Sequence, residues 1–268
     1  MSYHPLANVH PDAKIGKNVT IEPFATVAQD VVIGDGTWIG PNAVIFDGSR
    51  IGKDVKIFPG AVISGIPQDL KFKGEKTTAE VGDRTTVREC VTLNRGTIDK
   101  YKTVIGSDCL IMAYAHIGHD CIIGNNCILG NTVQLAGHVM IDDYAIFGGA
   151  CAVQQFSKVG AHAYIGGGSL VRKDVPPYTK AAREPLMYAG VNAVGLNRRG
   201  FTAEKINEIQ EIYRFIFMKG LNNSKAVDLI EREIPSSPER NYILDFIRSS
   251  DQGIMKGFNS ASPSSVEQ

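Results

Sequence analysis

The sequence predicts a parallel β-helix of six-residue repeats, followed by a small helical domain. Three observations predict it. Large apolar residues recur every six positions from Val9 to Val171. A small or β-branched residue usually follows four positions later. The six-residue period stops before Pro176-Pro177, and helical spacing takes over from about Phe201.

Stepping by six from Val9 gives Ile15, Ile21, Val27, Ile33, Ile39, Ile45, Ile51, Ile57 and Ile63. The same register returns at Val81, Val87 and Leu93, and runs from Ile105 through Ile117, Ile123, Leu135 and Ile141 to Val171. A helix needs a period of 3.6 and a strand a period of 2, so neither accounts for it. Three hexapeptides make a triangular coil of 18 residues whose anchors point inward. Stacked coils bury an apolar face that one coil alone cannot, and their spacing is about 4.8 Å. The small positions, such as Val19, Ala25, Ala43, Ala61, Ala115 and Ala145, fall where little room remains. Cys109, Cys121, Cys127 and Cys151 share that position, which reads as core packing. Cys90 is off that register. Glycine often follows the anchor, as at Gly16, Gly34, Gly106 and Gly118, and is expected to ease the turn.

Two stretches, 65–80 and 95–103, break the register and are expected to leave the solenoid as loops, the usual place for ligand contacts. The helical pattern holds Ile206, Ile209, Ile212, Tyr213, Ile216 and Phe217, with Thr202 as cap and Gly220 as stop. Ala226 to Ile234 reads as a second helix, and Ser237-Pro238-Glu239 starts a third. The expected division is a β-helix over 1–185, a helical domain over 186–258 that caps it, and a disordered Ser-rich tail over 259–268.

Lys and Arg number 28 and so do Asp and Glu, which removes the electrostatic case for nucleic acid as a partner. No apolar run reaches the roughly 20 residues of a membrane span. Five cysteines with no secretory pattern point to a reducing, cytoplasmic setting.

The 18-residue coil turns sequence spacing into columns. His119, Gly137 and Gln155 stack; so do Asp120, His138 and Phe156, and beside them His116, Gln134 and Ala152. This patch holds the parts of a general-base acyl-transfer site. A histidine is largely neutral at cytosolic pH and takes a proton from a hydroxyl. Gly137 offers an unobstructed N–H to a developing oxyanion. Arg198-Arg199 suits phosphates, because a guanidinium forks onto two oxygens.

The chain also resembles the bacterial UDP-N-acetylglucosamine acyltransferase family of lipid A biosynthesis, over essentially its full length. The matching motifs are Gln-Asp-Leu-Lys (68–71), Asn-Arg-Gly-Thr (94–97), Ala-His-Ile-Gly-His-Asp-Cys (115–121), Leu-Ala-Gly-His-Val (135–139), Asp-Val-Pro-Pro-Tyr (174–178) and Gly-Val-Asn with Arg-Arg-Gly-Phe (190–201). The resemblance implies a left-handed coil, a homotrimer with active sites between subunits, and no metal or cofactor. It implies transfer of an R-3-hydroxyacyl group from acyl carrier protein to the 3-hydroxyl of UDP-N-acetylglucosamine. By position, His119 is then the general base, Asp120 its orienting partner and Gly137 the oxyanion donor. Asp69, Lys71 and Gln155 contact the sugar nucleotide, and His116 and His138 position the substrates. Asn192, Arg198 and Arg199 hold uridine and phosphates, partly from a neighbouring subunit. Gly167 falls where acyl length is set, and a glycine there favours a longer chain. The chain departs from the family pattern at Gln154, where a histidine is usual, and at Val194, where an acidic residue is usual.

Two other functions fit parts of the pattern. One is a related N- or O-acyltransferase acting on another sugar nucleotide. The other is a γ-type carbonic anhydrase, whose metal His116, His119 and His138 could imitate.

Overall fold

A computed structural model describes residues 2–257. The six-residue repeat folds into short parallel strands, most of them two residues long; among the described residues the three sheets hold 12, 9 and 8 strands, three of the 12 coming after the repeat. They are faces A, B and C here, and the chain visits them in the order B, C, A. Face A holds Leu110–Ile111 and Ile128–Leu129, face B His116–Ile117 and Gln134–Leu135, and face C Ile122–Ile123 and Met140–Ile141. Each anchor points inward, so Ile21, Ile39, Ile57, Ile111, Ile117, Leu135 and Ile165 belong to one continuous buried core. The register starts one repeat earlier than the sequence suggests, at Ser2–Tyr3, which pairs with Thr20–Ile21.

The post-anchor glycines do a different job from the one expected. Gly34, Gly106 and Gly118 do not adopt positive φ. They lack a Cβ because one at Gly34 would lie 2.6 Å from the Gly52 carbonyl of the next coil, and one at Gly106 2.5 Å from the Gly124 oxygen. The left-handed residue comes two positions later and is mostly not glycine: Asn18, Asp120, Asn126 and His138 all have φ between 55° and 65°. Asn and Asp tolerate that region best among the side chains.

Both insertions leave the edge between faces B and C. Lys56 pairs with Thr86 and Thr86 with Leu110, so the first insertion lengthens its coil by 12 residues and the second by 6. Both lengths are multiples of six, which is why the anchors return in register. From Thr92 onward the plain 18-residue step is restored after one longer step: Thr92 pairs with His116, His116 with Gln134, and Gln134 with Ala152.

After Val171 the chain makes an antiparallel pair, Thr179–Ala182 with Met187–Val191, which extends face A. The boundary expected at 185–186 lies in the turn between these strands. Four helices follow: α1 (Ala193–Arg198), α2 (Ala203–Met218), α3 (Asn223–Glu233) and α4 (Pro238–Arg248). Thr202, Asn222 and Ser237 cap α2, α3 and α4. Helix α3 begins three residues before the expected Ala226, because its first turn is polar and carries no apolar period. Helix α1 was not expected; six residues with an internal glycine are too short to show one. The helices share a second apolar cluster built on Ile209, Ile212, Tyr213, Ile230, Ile243 and Leu244. Tyr242 of α4 ties it to the solenoid: its hydroxyl donates to Asp142 Oδ2 and accepts the Ala161 N–H at 2.9 Å. The expected tail at 259–268 lies outside the described residues.

Candidate active site

The B–C edge gathers most of the predicted patch. His119 and Asp120 occupy the corner after Ile117, and Gly137 and His138 the corner one coil above. The His138 N–H donates to the His119 carbonyl at 2.9 Å, and the Phe156 N–H to the Gly137 carbonyl at 3.3 Å, so the columns stack as the 18-residue step requires. His119 is 5% exposed and Asp120 fully buried.

His119 Nδ1 lies 2.8 Å from Asp120 Oδ2. An ionised carboxylate only accepts, so Nδ1 carries a proton, and in the neutral ring the lone pair is then on Nε2. Burial alone would push the Asp120 carboxyl up. The Thr97 hydroxyl, His119, and the Thr97 and Lys100 amides outweigh it and hold the carboxyl below its usual value. The ring edge bearing Nε2 faces Gly137: a Cβ there would stand 2.6 Å from both Cε1 and Nε2. Glycine is therefore required by the imidazole itself. Among the described residues the Gly137 N–H has no acceptor.

His138 meets the His119 ring edge-on at 4.9 Å and stacks on Phe156 at 4.5 Å. Its Nδ1 is 3.1 Å from Asp99 Oδ2 without hydrogen-bond geometry. His116 sits on face B, not on the edge, with Nδ1 2.7 Å from Thr92 Oγ1. Burial and then the nearby His119 lower its pKa, which favours the neutral ring.

The carbonic-anhydrase reading takes His116, His119 and His138 as metal ligands contributed across subunits, so one chain need not gather all three. The group that does converge is His119, Asp120 and His138, with donor atoms within 4.8 Å of one another. Its carboxylate is already committed, whereas His138 Nδ1 has no hydrogen-bond partner. Asp120 accepts from Thr97 N and Oγ1, from Lys100 N and from His119, leaving it poorly placed to ligate a cation.

The other predicted residues lie outside these contacts, Gln155 standing one coil above Gly137 in the same column. Asp69 and Lys71 sit in the first inserted loop, where Asp69 Oδ1 accepts the Lys71 N–H at 2.9 Å. Gln155 is exposed, and its carbonyl accepts from Gln252 at 2.7 Å. Asn192 is buried: its Oδ1 caps α1 through Gly195 N, and its Nδ2 donates to the His162 carbonyl at 2.9 Å. Arg198 is exposed at the end of α1. Arg199 lies 5.2 Å over the Tyr144 ring and keeps a buried, unpartnered Nη1. Tyr144 stacks on His162, and His162 on Tyr178, along the C–A edge. Gly167 is on the A–B edge, where a Cβ would approach the Gly149 oxygen to 3.1 Å. A cavity of about 820 Å³ under the first loop is lined by Lys14, Arg50, Thr77 and Arg95, and none of the predicted residues faces it.

Thr97 is the residue the sequence reading left without a role. Only its place in the Asn-Arg-Gly-Thr motif marked it, because loop geometry follows no period.

Residues 174–255 match the family described as UDP-N-acetylglucosamine O-acyltransferase, domain 2, and residues 30–65 and 102–137 match bacterial transferase hexapeptide repeats. An acyl-[acyl-carrier-protein]–UDP-N-acetylglucosamine O-acyltransferase from Anaeromyxobacter sp. (strain K) is 41% identical over 193 residues, covering 72% of this chain and 75% of that enzyme. The chain belongs to the UDP-N-acetylglucosamine O-acyltransferase family. A solved family member from Bacteroides fragilis superposes with a TM-score of 0.93 at 52% identity, covering 94% of this chain and 99% of the other. One from Francisella novicida does so at 0.93 and 39% identity, covering 99% of each. The fold is the family's left-handed β-helix with a small helical domain. Among the described residues no helix is long and apolar enough to cross a membrane.

Proposed function

We propose that this chain transfers an R-3-hydroxyacyl group from acyl carrier protein to the 3-hydroxyl of UDP-N-acetylglucosamine, the first step of lipid A biosynthesis, in the cytoplasm. The observation that carries the mechanism is the His119–Asp120 contact with Nε2 turned toward Gly137. His119 Nε2 takes the proton of the sugar hydroxyl as its oxygen attacks the thioester carbonyl. The tetrahedral oxyanion is met by the Gly137 N–H. Collapse expels the carrier thiolate, which receives the proton from His119. The base contributes roughly 10²–10⁴ in rate and one oxyanion donor roughly 10²–10³. No step calls for a metal or another cofactor.

His116 and His138 flank this centre and orient the two substrates. Asp69, Lys71 and Gln155 contact the sugar nucleotide. Arg198 and Arg199 take its phosphates. Asn192, whose amide is already bonded at both ends, places the turn that carries them. Gly167 leaves depth for the acyl chain.

These residues occupy three different edges of the solenoid, which argues for a site shared between chains. Outward residues on face A (Leu110, Ile128, Ile146) and face C (Val104, Ile122, Met140) are apolar, whereas face B shows Thr92, His116 and Gln134. A homotrimer that seats face A of one copy on face C of the next buries both stripes. It also brings the B–C edge with His119 beside the A–B edge of the neighbour, which carries Gly167.

The test is transfer from a ladder of 3-hydroxyacyl carrier proteins to UDP-N-acetylglucosamine and, separately, to an amino-sugar nucleotide. O-acylation of the first supports the reading; acylation of the amine alone rejects it in favour of an N-acyltransferase.

A further inference from the structure

We propose that Thr97 is a positioning residue for the His119–Asp120 pair, and that the second inserted loop serves to clamp that pair. This rests on the reading of His119 as the base. Asp120 sits in a corner with left-handed φ of 59° and is fully buried. Its backbone N–H donates to Thr103 Oγ1 at 2.8 Å, where the loop rejoins the coil. Both carboxylate oxygens are then claimed by the loop. Oδ1 accepts the Thr97 N–H at 2.9 Å and the Lys100 N–H at 3.2 Å. Oδ2 accepts the Thr97 hydroxyl at 2.6 Å, and it is the same oxygen that takes His119 Nδ1 at 2.8 Å.

The hydroxyl is therefore in direct competition with the imidazole for one oxygen. That has two consequences. It holds the carboxylate plane, and with it the oxygen that His119 Nδ1 meets as Nε2 turns toward Gly137. It also draws charge from Oδ2, which weakens the pull of the carboxylate on a protonated ring. The remaining charged and titratable neighbours are Lys100, whose Nζ donates to the Asp120 carbonyl at 3.2 Å, Asp99 beside His138, His138 itself, and His116. None of them hydrogen-bonds Oδ2 through its side chain; His138 Nε2 comes nearest, 4.0 Å away. Thr97 is 6% exposed, so water does not readily replace it.

The experiment compares Thr97→Val, which keeps the shape and loses the hydroxyl, with Thr97→Ser, which restores it. Acyl transfer is measured across pH with the whole enzyme. For the valine variant kcat falls about tenfold to a hundredfold, as expected for loss of a charge-assisted hydrogen bond. KM for UDP-N-acetylglucosamine stays within about twofold, because the hydroxyl meets no substrate. The acid limb of the kcat/KM profile moves to higher pH, since the uncovered carboxylate holds the imidazolium more strongly. Serine restores rate and limb together. An unmoved limb in the valine variant, or serine no better than valine, overturns the proposal. His119→Ala is run in parallel: if it keeps the wild-type rate and limb, the reading of His119 has failed rather than the role of Thr97.

Discussion

Gly137 lacks a Cβ at the one place where a Cβ would meet the His119 ring at 2.6 Å. The contact links two successive coils at the B–C edge and fixes where the imidazole can lie. Gly137→Ala forces the ring out of line while leaving the buried anchors untouched. Acyl transfer should then fall about a hundredfold or more with little change in melting temperature. A fully active alanine variant would remove Gly137 from both the packing and the oxyanion role.

The 18-residue step made this contact legible from sequence, because no insertion falls between His119 and Phe156. The same ruler fails across the two loops, and it cannot see the clamp of Thr97 on Asp120. The hand of the coil is equally hidden, since an inward anchor every six residues suits either hand. The cluster around His162 was missed because Tyr178, Arg199 and Phe201 return to it only after the period has ended. The expectation about glycine went astray because the sequence shows where a side chain is absent but not whether φ or contact is the reason.

Gly167 has room for a side chain only if the Gly149 oxygen yields by a few tenths of an ångström. Its φ is not positive, so a side chain is not strained there. Gly167→Met should move the preference toward shorter 3-hydroxyacyl chains in a carrier-protein ladder. An unchanged length profile would take Gly167 out of that role.

His162 should make the fold acid-sensitive. Burial, and then the Arg199 charge, lower it from 6.5 to about 4. Between those values the unfolded chain binds a proton that the folded chain refuses. Its contribution is complete above about 6.5 and is lost as pH falls toward about 4. His162→Phe keeps the stack between Tyr144 and Tyr178 and should flatten the decline of melting temperature in that window. An equally steep decline in the variant would assign the acid sensitivity elsewhere.

Tyr242 joins α4 to the solenoid through Asp142 and the Ala161 N–H. Tyr242→Phe leaves both without that partner and should cost about 1–3 kcal/mol, read as a lower midpoint in chemical denaturation. A midpoint equal to that of the parent protein would show that the apolar contacts of α4 suffice.

If sites are shared between copies, two inactive variants should repair each other. His119→Ala and Arg198→Ala chains, unfolded and reassembled together, should regain activity that neither has alone, since a site can draw one intact half from each. No gain on mixing would place all the site residues in one chain.

The central claim is that His119 is the general base, and it is tested most directly by single-turnover acyl transfer to UDP-N-acetylglucosamine in His119→Ala. The variant should assemble intact, with transfer reduced at least a hundredfold. An assembled variant that keeps more than about a tenth of the rate would contradict it.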